Sequence, residues 1–164
     1  MRKVYTKKGD EGTTSDYGGK RISKDDPTIL VQGKIDSLQS SIDLVNLTAK
    51  GEIKTMLEEI QKKLWQTAGE ISCADKSCVP WPVNEDDLVM LEKFTDSLGE
   101  PPTKFIRFDT IEAINYNECR IRCRELETQL VDLLRTKKIR SVAYQYVNRL
   151  SSLFFMLSYS TSKK

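Results

Sequence analysis

The stretch Ile53-Lys54-Thr55-Met56-Leu57-Glu58-Glu59-Ile60-Gln61-Lys62-Lys63-Leu64-Trp65-Gln66-Thr67-Ala68-Gly69-Glu70-Ile71 decides the fold. Its apolar residues (Ile53, Met56, Leu57, Ile60, Leu64, Ala68, Ile71) recur three or four apart, the spacing that lays one stripe along an α-helix. A half-buried strand would alternate with period two, and this segment does not. Gly51 separates it from an earlier segment in which Ile35, Leu38, Ile42 and Val45 line one face. That segment predicts a first helix from Pro27 to Ala49, begun by Asp26 as N-cap and Pro27 at the first helical position.

Toward the C-terminus, Pro80 and Pro82 around Trp81 make residues 73–83 a loop. Asn84 caps a third helix with an acidic first turn (Glu85, Asp86, Asp87) that ends near Gly99. Pro101 and Pro102 break the chain before a short apolar segment, Lys104 to Phe108. A fourth helix is predicted from Thr110 to Thr136 and a fifth from Ile139 to Ser158. Strand-like alternation is confined to residues 3–6 and 104–108. The expected class is all-α: a five-helix up-and-down bundle, with short connections and an ordered N-terminal loop. One domain is expected over 1–164, with residues 1–26 as the loop and 27–160 as the bundle.

Bulk chemistry narrows the function. With 26 basic and 24 acidic residues the net charge is +2, which argues against a nucleic-acid backbone as partner. No apolar run is long enough to span a bilayer, and Met1 leads into the polar segment without a signal-like core, so the expectation is a cytoplasmic protein with no membrane partner. Histidine is absent, which removes imidazole acid–base chemistry, Ser-His and Cys-His dyads and most zinc sites. The four cysteines default to free thiols. Cys73-x4-Cys78 and Cys119-x3-Cys123 lack the usual two-residue metal spacing, so no metal ligand set is assigned. Cys119 and Cys123 are expected to pack as core; Cys73 and Cys78 flank a loop and could form a disulfide. Phe154, Phe155, Met156 and Leu157 read as core or interface filling.

The chemistry-bearing segment is Tyr5-Thr6-Lys7-Lys8-Gly9-Asp10-Glu11-Gly12-Thr13-Thr14, followed by Gly18, Gly19, Lys20, Arg21, Ser23 and Lys24. Glycines allow close backbone approach and offer N–H groups to phosphate oxygens, and lysines add point charge. The spacing is not that of a Walker A loop. Composition alone leaves two readings open, a phosphate site and a flexible basic terminus. On the fourth predicted helix, Arg120, Arg124 and Glu127 share a face beside the apolar stripe of Cys119, Cys123, Leu126, Leu130 and Leu133.

Thr6-Lys7-x-Gly9-Asp10-x-Gly12-x-Thr14, continued by Gly18-Gly19-x-Arg21-x-Ser23-Lys24-Asp25-Asp26-Pro27, resembles the N-terminal signature of PduO-type ATP:cob(I)alamin adenosyltransferases. Arg120-x-x-Cys123-Arg124-x-x-Glu127 and Tyr146-Val147-Asn148-Arg149-Leu150-Ser151 are similar to two further motifs of that family, in matching order. The resemblance implies transfer of the 5′-deoxyadenosyl group of ATP to the Co(I) of cobalamin or a related corrinoid, with release of triphosphate. It implies that Thr6, Lys7, Gly9, Asp10, Gly12, Thr13, Thr14, Lys24, Arg124, Glu127 and Asn148 hold ATP, with Mg²⁺ offsetting phosphate charge. It implies that Arg120 pairs with Asp36 on the corrinoid side, that these two act with Arg124 in catalysis, and that Phe105 or Phe108 covers the lower corrinoid face. A homotrimer with sites between subunits is the expected assembly, served by a corrinoid reductase. The chain departs from the family pattern at Ser37, Gln39, Arg107-Phe108-Asp109-Thr110, Asn117, Glu125 and Ser152. Glu125 places a carboxylate where the family has an arginine. The alternative reading is a non-catalytic, ATP-binding regulatory bundle; conversion of cob(I)alamin to adenosylcobalamin separates the two.

Overall fold

Asp26 opens the first helix as its sequence predicts: Oδ1 accepts the Thr28 backbone N–H at 2.9 Å, and Pro27 needs no donor at the first position. The resulting helix α1 spans Pro27–Asn46 in a computed structural model that describes residues 4–73 and 79–162. Helices α2 (Gly51–Ser72), α3 (Glu85–Ser97), α4 (Ile111–Arg135) and α5 (Ser141–Ser162) follow in chain order. The all-α, five-helix expectation therefore holds.

Local chemistry sets the boundaries. Asn84 and Asp87 form a reciprocal capping box at the start of α3. Thr110 accepts the Ala113 N–H at 3.1 Å to start α4. Gly51 adopts φ +56 where α2 leaves its connection, a conformation that disfavours any residue with a Cβ. Helix α1 ends three residues before the expected Ala49, because the Thr48 and Ala49 N–H groups turn back to the Val45 carbonyl. Helix α5 runs four residues past the expected Ser158. Its terminal hydroxyls, which read as a polar stop, donate inside the helix: Ser158 to Phe154 O at 2.7 Å and Thr161 to Leu157 O at 2.8 Å.

Packing follows the predicted stripes. Val31, Ile35, Leu38 and Ile42 of α1 meet Leu57, Ile60 and Leu64 of α2, Cys119, Cys123, Leu126 and Leu130 of α4, and Tyr146, Leu150 and Phe154 of α5 in one core. Helix α4 lies between α1 and α5, α5 also packs on α3, and α1 also packs on α2. The Lys63–Asp87 ion pair at 2.8 Å links α2 to α3. Gln32 near the start of α1 donates to Ala68 O and Ser72 Oγ near the end of α2, as antiparallel neighbours must.

Two expectations are corrected. Residues 4–6 and 104–108 form no strand. The N-terminal segment, expected to be irregular throughout, instead holds a two-stranded antiparallel sheet, β1 (Thr13–Ser15) with β2 (Arg21–Ser23), in the register Thr13↔Ser23 and Ser15↔Arg21. Asp16 makes the turn: its N–H donates to Lys20 O, its carboxylate accepts the Lys20 N–H at 2.8 Å, and Gly19 sits at φ +83. Of the two states open to Cys73, it takes the disulfide; the expectation about Cys78 falls outside the described residues. Among the described residues no helix is long and apolar enough to cross a membrane.

Candidate functional site

The site begins in the hairpin. The Lys24 ammonium donates to Gly9 O at 2.8 Å, the Lys24 backbone N–H donates to Gly12 O at 2.9 Å, and the Arg21 guanidinium donates to Lys8 O and to the Thr13 hydroxyl. These bonds fold residues 8–13 back over β2 and arrange Gly9, Asp10, Gly12 and Thr13 as a compact turn. A Cβ at Gly9 would lie 3.1 Å from Lys24 Nζ and 3.3 Å from Thr13 O, so a larger residue there would crowd the closure. Lys7 takes the left-handed conformation, φ +59, which is uncommon for a residue with a side chain. A cavity of about 610 Å³ lies among Lys7, Lys8, Asp10, Glu11, Ser15 and Arg21. A second, of about 510 Å³, lies between the hairpin and α1 and is lined by Thr14, Lys24, Gly33, Lys34 and Ser37 with two apolar neighbours. Thr6 is exposed at the entrance to this turn.

A separate set of groups gathers on α4 and α5. Arg120 and Arg124 open into a cavity of about 430 Å³ with Asp96, Ser152 and Phe155. Arg120 and Phe155 also line an adjoining cavity of about 440 Å³, walled by Phe105, Phe108 and Asn117. Asn117 Oδ1 accepts Arg120 Nε at 2.8 Å and fixes the orientation of the guanidinium. Phe108 meets Phe155 edge-on with centroids 6.2 Å apart at 70°, whereas Phe105 is 99% exposed. Glu127 Oε1 accepts Asn148 Nδ2 at 2.6 Å and the Tyr144 hydroxyl at 3.4 Å. The Asn148 carbonyl oxygen in turn accepts Arg149 at 2.8 Å, and Arg149 bonds Glu92 at 2.9 Å.

Three of the implied groupings thus come together: the loop residues with Lys24, Arg120 with Arg124 and the two phenylalanines, and Glu127 with Asn148. Two do not. Asp36 is exposed on α1, and neither it nor Arg120 makes an ion pair among the described residues. Neither cavity that contains Arg120 includes a residue of the N-terminal hairpin. Within one chain the hairpin cavities and the arginine-face cavities share no lining residue.

Glu125, the charge departure on α4, is bonded by Lys34 of α1 at 2.8 Å and reached by Arg122 at 3.5 Å. The Lys34 hydrogen bond holds its carboxyl below the usual carboxylate range. Burial pushes the Cys119 thiol up to about 12 and the Cys123 thiol well above its ordinary value, so both are inert core residues. Among the described residues no group of three or more His, Cys, Asp or Glu gathers to hold a metal. Three site residues were not legible in the sequence: Asn117 as the partner of Arg120, Phe155 as cavity wall, and Lys34 beside the hairpin. Phe155 read as filling because its neighbours Phe154, Met156 and Leu157 are core. Lys34 followed no motif. Only the i,i+3 spacing of Asn117 and Arg120 hinted at a pair.

Comparison with known proteins bears on this arrangement. Residues 4–161 match the family model described as Cobalamin adenosyltransferase. A corrinoid adenosyltransferase of Citrobacter freundii is 30% identical over 165 residues, covering 96% of this chain and 94% of that protein. The corrinoid adenosyltransferase PduO of Salmonella typhimurium is 31% identical over 94% of this chain, which spans only 48% of that relative. A variant PduO-type ATP:corrinoid adenosyltransferase from Lactobacillus reuteri, solved with cobalamin and ATP, superposes with a TM-score of 0.84 at 27% identity, covering 98% of this chain and 94% of that one. A second variant of that protein, solved with ATP, also gives 0.84. With the model matched over almost the whole sequence and the bundle shared, the chain belongs to the cobalamin adenosyltransferase family.

Proposed function

We propose that this chain is an ATP:corrinoid adenosyltransferase in which the hairpin binds the triphosphate and the α4–α5 face holds the corrinoid. The observation that carries the reading is the pair of adjoining cavities sharing Arg120 and Phe155, next to an exposed Phe105. A solvent-facing phenylalanine beside a ready cavity suits a flat, largely apolar ligand.

In the reaction, the Co(I) electron pair attacks C5′ of ATP, the Co–C bond forms as the C5′–O bond breaks, and triphosphate leaves with the bonding electrons. Cobalt is the nucleophile, so no general base is needed and the lack of histidine is no obstacle. The protein's part is positioning and charge stabilisation. Thr6, Lys7, Gly9, Asp10, Gly12, Thr13, Thr14 and Lys24 take the phosphates. Arg124, Glu127 and Asn148 take the rest of the nucleotide, the last two locked together by their 2.6 Å bond. Arg120, held by Asn117, shapes the corrinoid side with Phe105 and Phe108. Mg²⁺ suits this site as an ion carried by the triphosphate: the loop cavity offers the carboxylates of Asp10 and Glu11, and such ions need only one or two protein ligands beside phosphate oxygens. It would neutralise charge on the leaving triphosphate.

The Asp36–Arg120 pair does not form within one chain and the hairpin lies apart from the arginine face, so the assembly proposed is a homotrimer in which a second copy completes each site. Light scattering that returned a monomer would remove this part. Cob(I)alamin requires a one-electron reductant for its supply, hence a reductase partner, and a cytoplasmic location is proposed with it. The deciding assay follows the spectrum of cob(I)alamin with ATP as adenosylcobalamin forms. Arg120→Ala should abolish turnover with unchanged helix content, and Lys24→Ala should weaken ATP; unchanged turnover in Arg120→Ala would overturn the assignment. If the unaltered protein binds ATP without forming adenosylcobalamin, the regulatory bundle is the correct reading.

A further inference from the structure

Lys34 has no counterpart among the residues assigned above, yet it lines the hairpin cavity and bonds across to α4. Its cavity is shared with Thr14 and Lys24, both taken as phosphate-binding residues. Gly33 beside it would place a Cβ in open space, with nothing within 4 Å. Glycine inside a helix costs about 0.5–1 kcal/mol relative to alanine, and packing does not require it here. Its effect is to leave the cavity wall low beside Lys34. Across the α1–α4 seam, Lys34 Nζ meets Glu125 Oε2 at 2.8 Å. Glu125 keeps a second cation, Arg122 at 3.5 Å, which is itself bound to Glu118 at 2.8 Å.

We propose that Lys34 is a phosphate-positioning cation of the nucleotide site, poised at the α1–α4 seam by Glu125. The inference rests on the hairpin as the triphosphate site. At position 125 the family pattern has an arginine; this chain has the carboxylate there and the cation directly opposite on α1. The cation at this seam is therefore on α1, at the wall of the hairpin cavity, rather than on α4. A lysine suits the relocation, because its flexible four-carbon stem lets the ammonium turn from a carboxylate to a phosphate, while Glu125 retains Arg122. Both partners are 37% exposed, so the resting pair is screened and gives way to a multiply charged ligand.

The test measures steady-state KM for ATP and for the corrinoid separately, with circular dichroism and light scattering as controls on fold and assembly. Lys34→Ala should raise the ATP KM about tenfold, the worth of one charge-assisted hydrogen bond, and leave the corrinoid KM within about twofold. Lys34→Arg should retain ATP affinity. Lys34→Glu should be worse than alanine, and the transposed Lys34→Glu/Glu125→Lys double variant, which returns the cation to α4, should recover ATP KM to within about threefold. The proposal is overturned if Lys34→Ala leaves ATP KM unchanged while Lys24→Ala raises it, if both substrates' KM values rise together, or if the transposed pair rescues nothing. If neither lysine affects ATP, the hairpin reading itself fails.

Discussion

Removing the Arg140 side chain tests how the bundle is tied together at one end. The Glu70 carboxylate near the end of α2 is only 5% exposed and accepts three bonds from one residue: the Arg140 backbone N–H at 2.8 Å, Nε at 3.0 Å and NH2 at 2.8 Å. The same NH2 also reaches Val83 O at 2.8 Å. One guanidinium thus joins α2, the segment entering α3 and the residue before α5. Arg140→Ala leaves the buried carboxylate with a single backbone donor. Breaking a buried pair by deleting one partner costs roughly 3–5 kcal/mol. Because Arg140 is one-third exposed and water can replace part of its role, the lower end applies, about 3 kcal/mol. At about 2–4 °C per kcal/mol for a chain of this size, the melting midpoint should fall by about 6–12 °C. Urea unfolding followed by circular dichroism measures the loss directly. Glu70→Gln in the Arg140→Ala background should recover part of it, giving a coupling of at least about 1 kcal/mol in the double-mutant cycle. A loss below about 1 kcal/mol for Arg140→Ala, or strictly additive single changes, would refute the reasoning.

Two further predictions concern titration. Hydrogen bonds from the Thr28 hydroxyl and backbone hold the Asp26 carboxyl below its ordinary value of 3.8. The folded state therefore binds this proton more weakly than the unfolded chain, and the stabilisation is present above 3.8 and lost as the pH falls through the lower folded value. Asn at position 26 still caps but does not titrate, so Asp26→Asn should flatten the acid limb of the melting curve taken between pH 6 and 3; parallel curves for the two proteins would count against the cap. Cys119 and Cys123, raised by burial, should resist alkylation in the native protein at pH 8 and react once urea opens the core, as read by peptide mapping. For Cys119 the sign is opposite to that of Asp26: its stabilising contribution is full below 9.0 and lost as the pH rises toward about 12. Stoichiometric native labelling of either thiol would refute this.

The helices were legible because their stripes are long. Ile53 to Ile71 repeats the helical spacing over five turns, and Asp26, Asn84 and Thr110 are caps whose side chains act within three residues of themselves. The hairpin was not legible, because its three-residue strands are too short to carry a period, and what closes it is nonlocal: Lys24 to Gly9 and Arg21 to Lys8, 15 and 13 residues apart. The end of α5 was misjudged for a related reason. Serine and threonine usually compete with helical backbone, but at Ser158 and Thr161 they bond one turn back and stay buried. In the site, residue identities were visible and partners were not. Arg120 and Arg124 share a face by their spacing and were named by the family motif they resemble, but Phe155, Asn117 and Lys34 acquire meaning only from packing between helices.

The departures from the family pattern also change character once their neighbours are known. Asn117 supplies the acceptor that aims Arg120. Ser37 donates within its own helix to Gly33 O, and Gln39 reaches Gln61 O on α2 at 3.1 Å. Ser152 lies on the rim of the cavity that holds Arg120 and Arg124, while the Glu125 carboxylate is already occupied by Lys34 and Arg122. The segment Arg107-Phe108-Asp109-Thr110 is held at two points: Phe108 against Phe155 and Thr110 as the cap of α4. A segment anchored in this way can present Phe105 to a ligand without the conformational freedom that glycine would have to surrender on binding. These two anchors hold the segment that leads from Phe105 into α4.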